Sequence, residues 1–216
     1  MNCIEQNREN WFSSSRWIAE AFSCDLNTTS FNSPCFRKVF SVKKHVKSAK
    51  IAICGLGLYQ FYINGEKPTN NVLMPLFTDY NKRVLYDIID ITDFVKNGDN
   101  CLGFVLGNGF YNIQSKCDWN FKTASWRDIQ KLIFDLFVEY VDGTYEHIVS
   151  DNSVRISKSP IVFNCIRNGE TYDARLNQNG WNLADFDDTN WGFAQYTKPT
   201  GILCENIAPP IKEFEV

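Results

Sequence analysis

The sequence holds only two histidines, His45 and His147, and none of its eight cysteines forms a C-x-x-C pair. Zinc ribbons and thioredoxin-type redox sites need such pairs, so both are excluded, and a metal cluster loses its commonest partner. Neither sign of charge is in excess: the formal net charge is -3, with acids and bases interspersed. The basic stripe that a phosphate backbone requires is missing, so no nucleic acid partner is expected. No run approaches the ~20 apolar residues of a membrane span, and the opening MNCIEQNRENWF lacks the basic start and apolar stretch of an export signal. No membrane partner is expected either. Amphipathic helical spacing is equally scarce. Only Ile89 to Lys96, with Ile91, Phe94 and Val95 behind Asp90, predicts one short helical turn, which removes the crossover helices that a parallel sheet needs.

What is abundant is aromatic and β-branched surface: 17 Phe, 9 Tyr and 6 Trp in 216 residues. From residue 36 these residues alternate with polar ones in short runs separated by turns, which is the period of half-buried strands. Nine strands are predicted, at residues 36–42, 49–54, 59–63, 84–88, 101–106, 132–140, 144–149, 153–156 and 161–166. Asn64-Gly65, Asn97-Gly98 and Asp142-Gly143 read as turns because both partners tolerate positive φ, and Asp142-Gly143 reads as the best hairpin. Two sheets packed face to face account for this layout better than a closed barrel. The expected division is a lead-in over residues 1–30, an all-β sandwich over 31–166, and a segment over 167–216 that wraps the surface. Its last residues, IKEFEV, read as an extended lead into a further domain. Cys54, Cys101 and Cys165 fall in apolar strands, where a thiol behaves as a small hydrophobe. Free thiols, a reducing compartment and a cytoplasmic location are therefore expected.

Residues 108–130 break the pattern with a long polar and aromatic insertion, of a length that favours a functional loop. Asn108, Tyr111, Asn112, Gln114 and Asp118 offer hydrogen-bonding groups there. Trp119 and Trp126 offer stacking faces for a sugar ring, or else cover the open end of the core. Glu170 and Asp173 are the best-placed carboxylates. Inverting glycosidases need an acid and a base, but Arg175 lies two residues beyond Asp173 and an ion pair pinning the departing chain is the competing reading. His147 alternates with apolar neighbours and has no visible partner. Trp181 and Trp191 read as packing anchors of the tail.

AKIAICGLGLYQFYING at residues 49–65 resembles the opening strands of the N-terminal domain of bacterial α-L-rhamnosidases, glycoside hydrolase family 78. VLMPLFTDYNKRVLYDIIDIT, NGDNCLGFVLGNGFY, LFVEYVDGTYEHIVSDNSVRISKSPI and GETYDARL with its following GW continue the likeness in the family's order, after RWIAEAF and SPCFRKVF upstream. GETYDAR together with LFTDYNKRVLYD is the most specific part. The resemblance implies a galactose-binding-domain-like jelly roll that precedes a separate catalytic helical barrel, the acidic catalytic residues lying in that barrel. It implies that a parent protein hydrolyses terminal α-L-rhamnose from glycans, whereas this chain alone is expected to be inactive. The expected partners are a rhamnose-containing saccharide and a downstream catalytic domain. A lectin-like module acting alone, and the jelly roll of another glycosidase such as the β-galactosidase or β-glucuronidase group, are the alternatives. Where many relatives have Gly-Asp-Gly-Trp-Tyr, this chain has Gly107-Asn108-Gly109-Phe110-Tyr111. The amide in place of a carboxylate weakens any calcium ligand at that position, so no cofactor is expected beyond that open possibility of calcium.

Overall fold

Apolar and polar side chains that alternate along a strand must face opposite sides of a sheet. The computed structural model, which describes residues 11–21, 32–114, 119–199 and 201–214, stacks two such sheets on a shared core. Its strands run in chain order as β1 Ile18–Ala19, β2 Pro34–Val42, β3 Val46–Leu56, β4 Leu58–Ile63, β5 Asn71–Val72, β6 Arg83–Asp90, β7 Gly98–Gly107 and β8 Lys131–Tyr140. Then follow β9 Tyr145–Val149, β10 Arg155–Lys158, β11 Ile161–Cys165, β12 Gly169–Tyr172, β13 Gly192–Phe193, β14 Gln195–Tyr196, β15 Ile202–Glu205 and β16 Ile211–Lys212.

One sheet has the order β14-β1-β8-β3-β6-β15 with β9 also paired to β8, and the other β13-β10-β2-β7-β4. Pairing within both is antiparallel except that β15 runs parallel to β6. This is an all-β, galactose-binding-domain-like jelly-roll sandwich. All nine predicted strands are present, and the expected helical turn is a 3-10 turn at Thr92–Phe94. Asn64 and Gly65, with φ of 51° and 86°, close a tight turn through reciprocal backbone hydrogen bonds between Ile63 and Glu66. Asp142-Gly143 joins the β8–β9 hairpin as read.

The core is built from the inward set of each strand. Phe104 of β7 stacks on Phe61 of β4 (5.1 Å) and on Phe134 of the opposite sheet (4.9 Å), so one ring ties the layers together. Strand β8 is covered on both sides. Its second face joins Cys54, Tyr80, Tyr111 and Ile133 to Phe12 and Trp17 of the lead-in and to Phe110 and Trp126 of the long loop. The tail does more than drape the surface: β13 extends one sheet and β14 and β15 the other. Cys35, Cys54, Cys101 and Cys204 are free thiols, and the Cys165 Sγ bonds the Asn168 side chain (3.2 Å). Burial pushes Cys35 up to about 12 and Cys54 well above its ordinary value. Cys3, Cys24 and Cys117 lie outside the described residues.

Candidate functional site

Strand β4 sends Phe61 and Ile63 into the core, which turns Leu58, Gln60 and Tyr62 to the outer face of the five-stranded sheet. On the paired strand β7 the outward residues opposite them are Gly107, Val105 and Gly103. Leu58 and Tyr62 thus face glycines on the next strand, and the sheet surface is hollow beside them. At Gly103 the hollow is filled: a Cβ would lie 3.1 Å from the Trp181 indole, which also meets Tyr62 edge-on at 5.8 Å. At Gly107 the Asn164 side chain stands 3.4 Å from where a Cβ would be. The space between remains open as a groove of about 560 Å³, walled on one side by the β11–β12 hairpin with Asn164, Ile166 and Glu170.

The hairpin is fastened to the long loop by Asn164. Its Oδ1 accepts from the Asn108 backbone N–H (2.6 Å), its carbonyl accepts from Asn108 Nδ2 (2.8 Å), and its own Nδ2 donates to Ser33 Oγ (2.8 Å). Asn108 Oδ1 in turn accepts from Asn112 Nδ2 (3.1 Å) and Gln130 Nε2 (2.5 Å), while Arg127 Nε donates to Asn112 Oδ1 (3.0 Å). Asn108 and Asn112 are buried, as is Tyr111, whose ring packs edge-on against Tyr80. These three proposed sugar contacts are therefore placed in the interior, the two amides consumed by the loop's own hydrogen bonds. Gln114 is also buried, and its amide has no hydrogen-bond partner among the described residues. Asp118 lies outside the described residues.

A cation at residue 108 would need a free oxygen, and both lone-pair directions of Asn108 Oδ1 already hold N–H donors. The residue does not fit the role of ligand. Among the described residues no group of three or more His, Cys, Asp or Glu side chains is arranged to hold a metal ion.

Trp126 is half-buried in an aromatic cluster with Phe77, Tyr80 and Phe121, which is the core-covering alternative. Trp119 is 64% exposed, and the Arg167 guanidinium from the β11–β12 turn lies 4.9 Å over its ring. The structure thus brings Trp119 beside the hairpin that carries Glu170, but buries Tyr111 and packs Trp126 into the aromatic cluster.

Asp173 is not the pin expected of it. It caps the 3-10 turn Ala174–Leu176 and accepts from Arg175 Nε (2.8 Å) and Nη2 (2.6 Å), with the Arg175 side chain 88% exposed. The pair is a local surface lock, because residues two apart can meet without reaching the sandwich. The Arg175 guanidinium, with the backbone N–H of the same residue, holds the Asp173 carboxyl below its ordinary range. The true pin is Arg37 of β2, buried against the tail and bonded to the Trp181 and Leu183 carbonyls and to Asp188. His147 does have a partner: its Nε2 bonds the fully buried Asp135, whose other oxygen accepts the Phe12 N–H (2.5 Å). The diagonal β8–β9 register creates this contact, which no local sequence spacing reveals. Gln60 and Tyr62, which the sequence did not single out, had one signal, their two-residue spacing along the alternating strand β4.

The family model described as the alpha-L-rhamnosidase N-terminal domain matches residues 44–215. An alpha-L-rhamnosidase of Formosa agariphila is 39% identical over 196 residues, covering 88% of this chain and 20% of that protein. The solved alpha-L-rhamnosidase of Dictyoglumus thermophilum superimposes with a TM-score of 0.82 at 40% identity, over 95% of this chain and 23% of that one. That of Streptomyces avermitilis, solved in complex with L-rhamnose, gives 0.79 at 31% identity over 86% and 18%. The chain spans about a fifth of the length of these relatives.

Proposed function

The chain belongs to the alpha-L-rhamnosidase N-terminal domain family, and from that premise we propose that it is the non-catalytic accessory module of an α-L-rhamnosidase-like glycoside hydrolase, with weak recognition of a rhamnose-bearing saccharide. The carrying observation is the hairpin wall itself: Asn164 and Asn108 hold the β11–β12 hairpin against the sheet, so Glu170 and the neighbouring Trp119 are presented to solvent on a rigid support. A rigid site loses less ordering entropy on binding, which matters most for a small ligand. Asp173 is unsuited to donate a proton, since Arg175 stabilises its charged form. Catalysis in this reading belongs to a further domain of the parent, its downstream partner. A cytoplasmic setting is part of the proposal, supported by the unpaired buried thiols of Cys35, Cys54 and Cys101.

Titrating the chain into L-rhamnose by saturation-transfer NMR is expected to show binding with a dissociation constant on the order of millimolar, worth about 4 kcal/mol. The response should be the same with calcium and with chelator, because the Asn108 oxygen is occupied. Absence of transfer at every sugar concentration overturns recognition and leaves a purely structural module.

A further inference from the structure

We propose that the groove over Gln60 and Val105, between Tyr62 and the β11–β12 hairpin, is the saccharide-binding site of this chain, and that it takes a neutral pyranose with one apolar face. The proposal rests on the recognition role proposed above and places it away from the buried amides of the long loop. Three polar groups face this space without a hydrogen bond to any described residue: the Gln60 amide, the Tyr62 hydroxyl and the Glu170 carboxylate. An amide both donates and accepts, a phenol does the same, and a carboxylate accepts, which matches the vicinal hydroxyls of a sugar. Burial, with Cys35 adding to it, pushes the Tyr62 phenol above its ordinary value, so at neutral pH it remains a donor.

Leu58, Val105 and Ile166 supply an apolar lining beside those groups. A ring face of C–H bonds, or the methyl group of a deoxy sugar, gains contact there that water does not give. Glu170 also sets the sign of the ligand. Its carboxylate repels a uronate and accepts from a neutral hydroxyl, so uronic acids are excluded as occupants. The volume of about 560 Å³ lies in the range of small-molecule sites, and its depth comes from the small residues of β7 opposite β4. The walls are set in advance, Asn164 bonded to Asn108 and Ser33 on one side and Tyr62 meeting Trp181 edge-on at the other.

The test measures the affinity of the chain for methyl α-L-rhamnoside by ligand-observed NMR, with Gln60→Leu, Tyr62→Phe and Glu170→Gln beside wild type and Tyr145→Ala on the distant strand β9 as control. Thermal melting confirms that each variant is folded. Each groove variant is expected to weaken binding about threefold to tenfold, the loss from one hydrogen bond, with the control unchanged. Methyl β-D-galacturonide is expected to bind to Glu170→Gln more tightly than to wild type. Wild-type binding that all three groove variants leave intact overturns this site while recognition elsewhere on the chain stands. No binding by wild type overturns both.

Discussion

Arg37→Met is expected to cost about 3–5 kcal/mol of stability, the loss typical when one partner of a buried ion pair is removed. Arg37 is 1% exposed and lies on the outer face of β2, where a charged side chain would ordinarily be solvated. It is buried because the tail folds over it. Nε donates to the Trp181 carbonyl (2.9 Å), Nη2 to the Leu183 carbonyl (2.7 Å), and Nη1 to Asp188, with the Phe186 ring 5.5 Å from Cζ. Methionine fills much of the volume but removes the donor of the Trp181 carbonyl, leaves the Leu183 carbonyl only the long bond from the Phe186 N–H (3.4 Å), and leaves Asp188 with Arg155, at 3.4 Å, among the described residues. Lysine keeps the charge yet presents no planar fork, so Arg37→Lys should recover only part of the loss. Urea unfolding followed by tryptophan fluorescence reads both effects. A change below about 1 kcal/mol would mean that the tail is held by Trp181 and Trp191 packing alone.

Asn108→Asp is expected to destabilise the chain by about 3 kcal/mol at neutral pH. The Nδ2 donor to the Asn164 carbonyl disappears, and a carboxylate is placed opposite that carbonyl at a position 1% exposed. Desolvation and the facing carbonyl raise the new carboxyl above its unfolded value of about 3.9. The folded state then binds a proton more tightly than the unfolded one. The variant's stability is therefore greatest at low pH and falls as pH rises through the folded value, a trend that wild-type Asn108 cannot contribute. Denaturant midpoints at acidic and neutral pH check this directly. Equal midpoints for variant and wild type at neutral pH would show that residue 108 faces solvent.

These two positions also mark what local sequence could and could not reveal. β4 was legible because LYQFYI alternates cleanly between core and groove, and β8 because its apolar run is dense. β13 and β14 were not, since two residues carry no period. β12 was missed because all four of its residues are exposed, so neither face is marked by apolar side chains. At the site, the sequence offered Trp119 and Trp126 the same two readings, and the fold separates them, Trp119 exposed and Trp126 packed in the aromatic cluster. The polar run at 108–114 suggested solvent and misled, because its amides satisfy one another and the Asn164 carbonyl once the chain has folded. Burial of Arg37 depends on carbonyls 144 and 146 residues further along, beyond the reach of any pattern in FRKVF.

The accessory, non-catalytic role is tested most directly by incubating the purified chain with an aryl α-L-rhamnoside and following release of the phenol. The account predicts no hydrolysis above buffer. Turnover that survives repurification and disappears in Glu170→Gln or Asp173→Asn would contradict it and place a complete active site within these residues.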